Sequence, residues 1–173
     1  GALSRIGELG LGVSFSLAHP KAVEYIARAG ATAVTQINET TRNELRNILT
    51  QATQEGWSYT RTAQAISAKF KEFAGPPLRP TLREIRSRAE LIAVTEVGHA
   101  YEEGSMIIAQ QLQQSGLRME KSWLTVDDER VCPECSGNED DDWIPLDEQF
   151  SSGVVRPPAH PGCRCTMKTR MAT

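Results

Sequence analysis

The sequence lacks any long apolar run. The longest candidate, around Leu91 to Val97, is interrupted by Thr95 and Glu96, whereas a membrane-spanning helix needs roughly 20 apolar residues. A basic stretch followed by an apolar segment, the pattern of a signal peptide, is also missing from the N-terminal region. We therefore expect a protein that has no membrane partner.

Positive charge and aromatic residues are both scarce. The chain has 19 basic and 22 acidic residues, a net charge of −3, and only 6% aromatic residues, a composition that argues against bulk nucleic-acid binding and base stacking. Residues 61–90 nevertheless hold seven basic and three acidic residues, and residues 127–148 hold ten acidic residues and one arginine. Candidates for contact with DNA or a partner protein are Arg79, Arg83, Arg86 and Arg88; a solvated surface is the alternative.

Cysteine is confined to one segment near the C-terminus. All four cysteines lie in Cys132-Pro-Glu-Cys135 and in His160-Pro-Gly-Cys163-Arg-Cys165. A Cys-x-x-Cys turn brings two sulfurs within reach of one ion, and the second cluster can complete the tetrahedron that zinc favours in structural sites. Five candidates for about four positions leave open which of His160, Cys163 and Cys165 lies outside the ligand shell. If His160 binds, we expect an acidic residue to accept a hydrogen bond from its other ring nitrogen.

Two disulfides are the alternative use of four cysteines. Disulfide frameworks are typical of short secreted chains that cannot build a core. This chain has 173 residues, of which 39% are apolar. A zinc site in a reducing compartment is therefore the stronger prediction.

Helical patterning begins at Pro20, a residue suited to a first helical position. An apolar stripe of Val23, Ile26 and Ala27 runs up to Gly30. A second helix is predicted from Ala31, and it carries Leu45 and Leu49 and stops at Gly56.

Ser58 is the predicted cap of a third helix, which carries Ala63, Ile66 and Phe70 and ends before a Gly-Pro-Pro connector. The capping box Thr81-Leu-Arg-Glu84 then predicts the start of a long helix reaching Gly116, about 50 Å in length.

After Gly116 the pattern alternates in residues 121–126, 143–146 and 165–171, which predicts short strands. The sequence thus predicts an α+β fold, in which antiparallel helices, including one long helix, precede a small zinc-pinned β-rich module. The predicted division is an extended arm (1–19), a helical domain (20–116) and a β-rich zinc-binding module (117–173).

Because the chain opens Gly1-Ala2 without methionine, we expect a processed product or a piece of a longer polypeptide.

A second polar constellation lies on the long helix, where Glu96, His99 and Glu103 share one face. Such residues can bind metal or transfer protons, but a polar patch paired with arginines of the preceding helices explains the same spacing. Zinc deaminases need His-x-Glu and Pro-Cys-x-x-Cys. This chain has His99-Ala-Tyr-Glu102 and a valine before Cys132, which argues against that chemistry.

Two acidic stretches flank the first Cys-x-x-Cys turn. Residues 127–130, Asp-Asp-Glu-Arg, are predicted to form a turn shaped by aspartate side chains, with an Asp–Arg pair or a second cation as alternatives. Residues 139–142, Glu-Asp-Asp-Asp, are predicted to be a solvated loop tip.

Three segments follow one another in a specific order: Arg88-Ala-Glu-Leu-Ile-Ala-Val-Thr-Glu96, Trp123-Leu-Thr-Val-Asp-Asp-Glu-Arg-Val-Cys-Pro-Glu-Cys135, and Phe150 followed by Pro157-Pro-Ala-His-Pro-Gly-Cys-Arg-Cys-Thr166. Together they resemble the Mu F-like minor head proteins, the head-morphogenesis family of tailed bacteriophages. The resemblance covers roughly residues 57–167. Family members often have arginine before the Thr-Glu pair of the long helix, whereas Val94 precedes Thr95-Glu96 here, so the resemblance assigns that pair no role.

The resemblance implies a non-enzymatic virion component, made in the bacterial cytoplasm and incorporated with the portal protein and other head proteins. It implies a role in head assembly and in DNA packaging or ejection. DNA contact and self-association stay open. The alternatives are a metal-dependent enzyme (nuclease, hydrolase or prophage toxin) using Glu96, His99 and Glu103 or an open zinc position, and a nucleic-acid-binding zinc module.

Overall fold

The computed structural model describes residues 20–76, 85 and 87–172. The predicted arm (1–19), the capping-box residues Thr81 and Glu84, and Arg79, Arg83 and Arg86 lie outside the described residues. Four helices come first: α1 (Pro20–Ala29), α2 (Glu39–Gln54), α3 (Tyr59–Lys69) and, after a 3₁₀ turn (Lys71–Phe73), α4 (Arg88–Gln114). They are followed by β1 (Met119–Leu124), α5 (Pro133–Asp140), β2 (Ile144–Pro145) and β3 (Thr166–Met171). The predicted α+β class is confirmed.

Local signals place several helix ends where they were predicted. Helix α1 begins at Pro20, and Ser58 caps α3, its hydroxyl accepting a hydrogen bond from Arg61 N–H at 3.2 Å. Gly56, just beyond α2, has φ +63°, a conformation that glycine adopts without a Cβ clash. The predicted start of α2 at Ala31 is wrong, since residues 31–38 form turns and Asn38 caps the helix by accepting from Thr41 N–H.

The long helix starts later than its predicted capping box. Ile85 and Ser87 are not helical, and α4 begins at Arg88, with the Ser87 hydroxyl accepting a hydrogen bond from Glu90 N–H at 3.1 Å. The helix therefore has 27 residues and a length of about 40 Å rather than 50 Å. Its predicted stop is confirmed, because Ser115 caps the helix end and Gly116 follows the cap with φ +96°.

The helices pack around the first half of α4. Their shared core is a cluster of buried residues that includes Ile26, Leu45, Leu49, Ile66, Phe73, Ala93 and Val97. The predicted stripe on α1 is only partly right: Ile26 is buried, but Ala22 accompanies it, while Val23 is half-buried and Ala27 is exposed. No helix among the described residues is long and apolar enough to cross a membrane.

The second half of α4 packs against a three-stranded antiparallel sheet of order β2-β1-β3. In the register, Lys121 of β1 lies opposite Ile144, and Trp123 lies opposite Met167. A second core cluster joins α4 to the sheet through Met106, Ala109, Leu112, Met119, Leu146 and Met167. The alternating segments of the sequence are thus confirmed as strands.

Helix α5 was not predicted. Cys132 precedes it as the N-cap residue and Pro133 occupies its first turn, a combination that favours helix initiation. The helix carries the first Cys-x-x-Cys turn and positions it beside the sheet.

Candidate metal centre

The first pair of candidate ligands is shaped by the start of α5. The Cys132 sulfur acts as the helix cap and accepts a hydrogen bond from Cys135 N–H at 3.4 Å. Cys135 is buried and Cys132 is half-buried. The turn therefore brings both sulfurs to one side of the helix N-terminus.

The second pair comes from the turn at residues 160–163. Cys163 N–H donates to the His160 carbonyl at 3.1 Å, and Gly162 has φ +78°, which permits the tight turn. The His160 Nδ1 atom lies 3.0 Å from the Pro161 carbonyl, so we assign the ring proton to Nδ1. The lone pair of Nε2 is then free to bind a metal. The predicted acidic acceptor is wrong, since a backbone carbonyl takes that role.

The donor atoms are spaced as metal ligands are. His160 Nε2 lies 3.2 Å from Cys132 Sγ and 3.6 Å from Cys135 Sγ, and the Cys135 and Cys163 sulfurs are 3.7 Å apart. A zinc ion at about 2.3 Å from sulfur and about 2.0–2.1 Å from nitrogen separates tetrahedral ligand atoms by about 3.5–3.8 Å. Two of the three separations lie in this range and the third, from His160 Nε2 to Cys132 Sγ, is shorter at 3.2 Å, so the donor atoms converge closely enough to surround one ion of zinc's size.

All five predicted residues meet at this place. They form two groups that share Cys135, one with Cys132 and His160 and the other with Cys163 and Cys165, and within each group the ligand atoms lie within 4.8 Å of one another. All four cysteines are free thiols, so the disulfide alternative is wrong. The five residues could hold a metal ion.

The electrostatics of the cluster favour a thiolate. Contact with the Cys135 thiol, and then with Cys165, holds the pKa of Cys163 far below its usual value. For Cys132, burial acts in the opposite direction, but the hydrogen bond from Cys135 N–H and the His160 contact lower the thiol pKa. Because a cysteine binds metal as the thiolate, both shifts favour coordination.

The turns around the cluster are fixed by ion pairs. Asp128 accepts hydrogen bonds from Arg164 Nη1 and Nη2 at 3.0 and 2.8 Å, and it also pairs with Arg130. These contacts hold the pKa of Asp128 well below its usual range, with the Arg164 hydrogen bonds as the largest cause. The Asp–Arg pair considered for residues 127–130 is thus present, and it also fixes Arg164 between Cys163 and Cys165.

The acidic stretch at residues 139–142 is not merely a solvated loop tip. Glu139 accepts hydrogen bonds from the N–H and the hydroxyl of Thr125 at 2.9 and 2.6 Å, and Asp141 accepts one from Ser151 N–H at 2.7 Å. That prediction is wrong for these two residues, whose carboxylates satisfy backbone donors of neighbouring loops.

Helix α4 contacts the metal-binding segment directly. The Thr95 hydroxyl accepts a hydrogen bond from Gly162 N–H at 2.9 Å. Two turns further on, Glu102 accepts from the Thr166 hydroxyl at 2.6 Å and from Met167 N–H at 3.0 Å. Burial raises the pKa of Glu102 to about 7. The second turn and the start of β3 are therefore tied to the long helix.

The Glu96, His99 and Glu103 constellation is divided among structural contacts. Glu96 accepts a hydrogen bond from Ala31 N–H at 2.9 Å, whereas Arg156 pairs with Glu103 and lies 3.1 Å from His99 Nδ1. Burial, followed by the nearby Arg156, lowers the pKa of His99. In the part of the chain that the structure describes, these three residues do not form a metal-ligating group. The predicted arginine of a preceding helix is present for Glu96, whose pKa is raised by burial and lowered, in opposition, by the charge of Arg42, whereas the arginine at His99 and Glu103 follows the long helix in sequence.

The candidate DNA-contacting arginines are represented here by Arg88 alone, the other three being outside the described residues. Its guanidinium lies 4.6 Å from the Phe73 ring centroid and donates to the Thr35 carbonyl. Arg88 therefore stabilises the junction between the 3₁₀ turn and α4, and its role in binding DNA or a partner stays a prediction.

Sequence reasoning missed the residues that support the centre, namely Thr95, Trp123, Glu102 and Arg156. Trp123 is fully buried against Cys135 and Cys163. Its position in an alternating strand gave a signal for burial, but nothing in the sequence pointed to its neighbours.

A comparison with protein families finds a match over residues 43–168 to a family described as phage Mu protein F like protein. No curated protein and no solved structure matches the chain. The matched region contains α4, β1, β2, the first half of β3, and all five candidate ligands. Because it spans well over half of the 173 residues, the chain belongs to the family of phage Mu protein F like proteins.

Proposed function

We propose that this chain is a structural minor head protein of a tailed phage or prophage, acting near the portal in head assembly and in DNA packaging or ejection. The observation that carries the proposal is the family match, which extends over the long helix and the metal-binding turns together. The binding partners are the portal protein and other head proteins, and the protein is made in the host cytoplasm and incorporated into the virion.

The metal is zinc, and its role is structural. Zinc suits a donor set of cysteine sulfurs and one imidazole, spaced as found here. The ion ties the N-terminus of α5 to the turn before β3, two segments joined to the rest of the module through a short sheet. A small module of this kind gains much of its stability from such a link.

A non-enzymatic role is supported by how the polar residues of α4 are used. Glu96, Glu102 and Glu103 are each occupied in contacts with Ala31, Thr166 or Arg156. Their carboxylates connect parts of the fold. A protein that serves as a rigid connector in a head would use buried polar residues in this way.

The test is co-expression of the chain with the portal protein encoded by the same phage genome, followed by affinity purification, gel filtration and metal analysis. We expect a complex that survives gel filtration and holds one zinc per chain. The chain expressed alone is the control for aggregation. A properly folded, zinc-loaded chain that associates with neither the portal protein nor purified procapsids would overturn the proposal.

A further inference from the structure

Two turns of the metal centre are built alike. Cys132-Pro133-Glu134-Cys135 and His160-Pro161-Gly162-Cys163 have the same spacing and a proline in the same place. In each, the backbone N–H of the fourth residue bonds back to the first, to the sulfur of Cys132 in one turn and to the carbonyl of His160 in the other. We infer that these two turns supply the four metal ligands, Cys132, Cys135, His160 and Cys163, and that Cys165 stays outside the ligand shell as a free thiol. This inference rests on the metal site proposed above.

The orientation of His160 favours its inclusion. Its Nδ1 proton is directed to the Pro161 carbonyl, within its own turn, and Nε2 faces the sulfurs of both Cys132 and Cys135. A ring held in this way has its metal-binding lone pair already aimed at the site. If all four ligands were sulfurs, the Nε2 lone pair of His160 would face the thiolates of Cys132 and Cys135 without binding the ion, and the like electron density would repel.

The surroundings of Cys165 favour its exclusion. It directly precedes β3, so its backbone follows the strand register in which Thr166 lies opposite Leu124. Its side chain packs against the cluster that contains Trp123 and Phe150. Cys163 and Cys165 both lie in the close group with Cys135 and outside the group with His160, so proximity does not separate the two thiols. Cys165 is placed by the strand rather than by either of the two turns.

Cys163 differs from Cys165 in how it is held. Its N–H is bonded to His160, so the two residues move as one turn, and that turn is fixed to α4 through Gly162 and Thr95. Its sulfur lies 3.7 Å from that of Cys135, the spacing expected across a zinc tetrahedron. Cys163 is also buried, whereas Cys165 is half-buried.

The test is X-ray absorption on the zinc-loaded full chain and on two matched variants, with zinc affinity measured by chelator competition. For the wild type we expect three sulfur and one nitrogen ligands. Cys165→Ser should keep that shell and an affinity within about threefold of the wild type. His160→Gln should lose the nitrogen and weaken binding at least on the order of 100-fold, since removing outer partners of ligands already costs about 10–100-fold.

The outcomes separate this inference from the proposal beneath it. A shell of four sulfurs, or a Cys165→Ser variant with two sulfurs, overturns the ligand assignment while leaving the metal site in place. A wild-type chain that folds and binds no metal overturns the metal site itself.

Discussion

The hydroxyl of Thr95, on the long helix, accepts a hydrogen bond from the backbone N–H of Gly162, inside the second metal-binding turn, at 2.9 Å. The next residue, Glu96, accepts one from Ala31 N–H, in the turn between α1 and α2. Adjacent side chains of α4 therefore hold the metal-binding segment on one side and the helical core on the other. The Thr-Glu pair, to which the resemblance gave no role, connects the two parts of the protein.

Thr95→Val tests that connection. Valine keeps the shape but removes the acceptor, and Gly162 is buried, so its N–H loses its partner. We expect the free energy of unfolding to fall by about 1–3 kcal/mol, measured by urea denaturation. Thr50→Val is the matched control, because the Thr50 hydroxyl donates to Arg46 within its own helix. Equal effects of the two substitutions would remove the special role of Thr95.

Glu102 makes stability depend on pH. Burial raises its pKa to about 7, against contributions from Thr166, Met167 and Arg156 that lower it. The folded state thus holds a proton that the unfolded state releases above pH 4.5, and the stability contributed by this carboxyl falls as pH rises from 4.5 to about 7. In Glu102→Gln the amide oxygen can accept from Met167 N–H, and the amide nitrogen can donate to the Thr166 hydroxyl oxygen, without a titrating group. Between pH 5 and pH 8 we expect the unfolding free energy of the wild type to fall by about 2–3 kcal/mol relative to that of the variant, measured by denaturant titration at each pH. A pH-independent difference between the two proteins would contradict this assignment.

The capping boxes show where sequence reasoning reached its limit. Thr81-x-x-Glu84 and Ser87-x-x-Glu90 match the same motif, and local chemistry cannot choose between them. The structure uses Ser87, next to an Arg88 that packs on Phe73. Tertiary packing thus decides the start of α4. By contrast, the cap at Ser58 and the helix stop at Gly56 have no competing motif nearby, and both were predicted correctly.

The metal centre was predictable for a different reason. Two cysteines separated by two residues must lie close together, so spacing alone predicted that Cys132 and Cys135 could share one ion. The contacts between the long helix and the segment that leads to the second turn join distant residues, such as Arg156 and His99, which are 57 residues apart in sequence. An arginine that far away carries no local pattern, and only the fold reveals its partner.

Lys121 is an internal cation of the sheet. It is fully buried, and its ammonium donates to the carbonyls of Leu146, Glu148 and Val155. Burial lowers its pKa to about 8, so the side chain is still largely charged at neutral pH. Lys121→Met leaves three carbonyls without their donor, and we expect a loss of at least about 1–3 kcal/mol in unfolding free energy.

The exposed Lys168 of β3 provides the control for that substitution. Its ammonium lies 5.6 Å from the Trp143 ring centroid at the surface, so Lys168→Met should change the unfolding free energy by less than about 1 kcal/mol. Denaturant titrations of both variants give the comparison. If Lys121→Met is as stable as Lys168→Met, the three carbonyl contacts do not support the sheet.

Removal of the metal should unfold the C-terminal module before the helical core. Trp123, Cys135, Phe150 and Cys163 form a cluster of their own, separate from the core around the first half of α4, so loss of the ion exposes Trp123 while the helices retain their packing. At a zinc concentration about 1,000-fold above Kd, binding stabilises the folded state by about 4 kcal/mol, or roughly 10 °C in Tm for a chain of this size. A chelator, or Cys132→Ser, should lower Tm by that amount and shift tryptophan emission to the red. Glu134→Gln, an exposed change inside the same turn, should keep both zinc and Tm. Cys132→Ser with unchanged zinc content and unchanged Tm would show that Cys132 does not bind the ion.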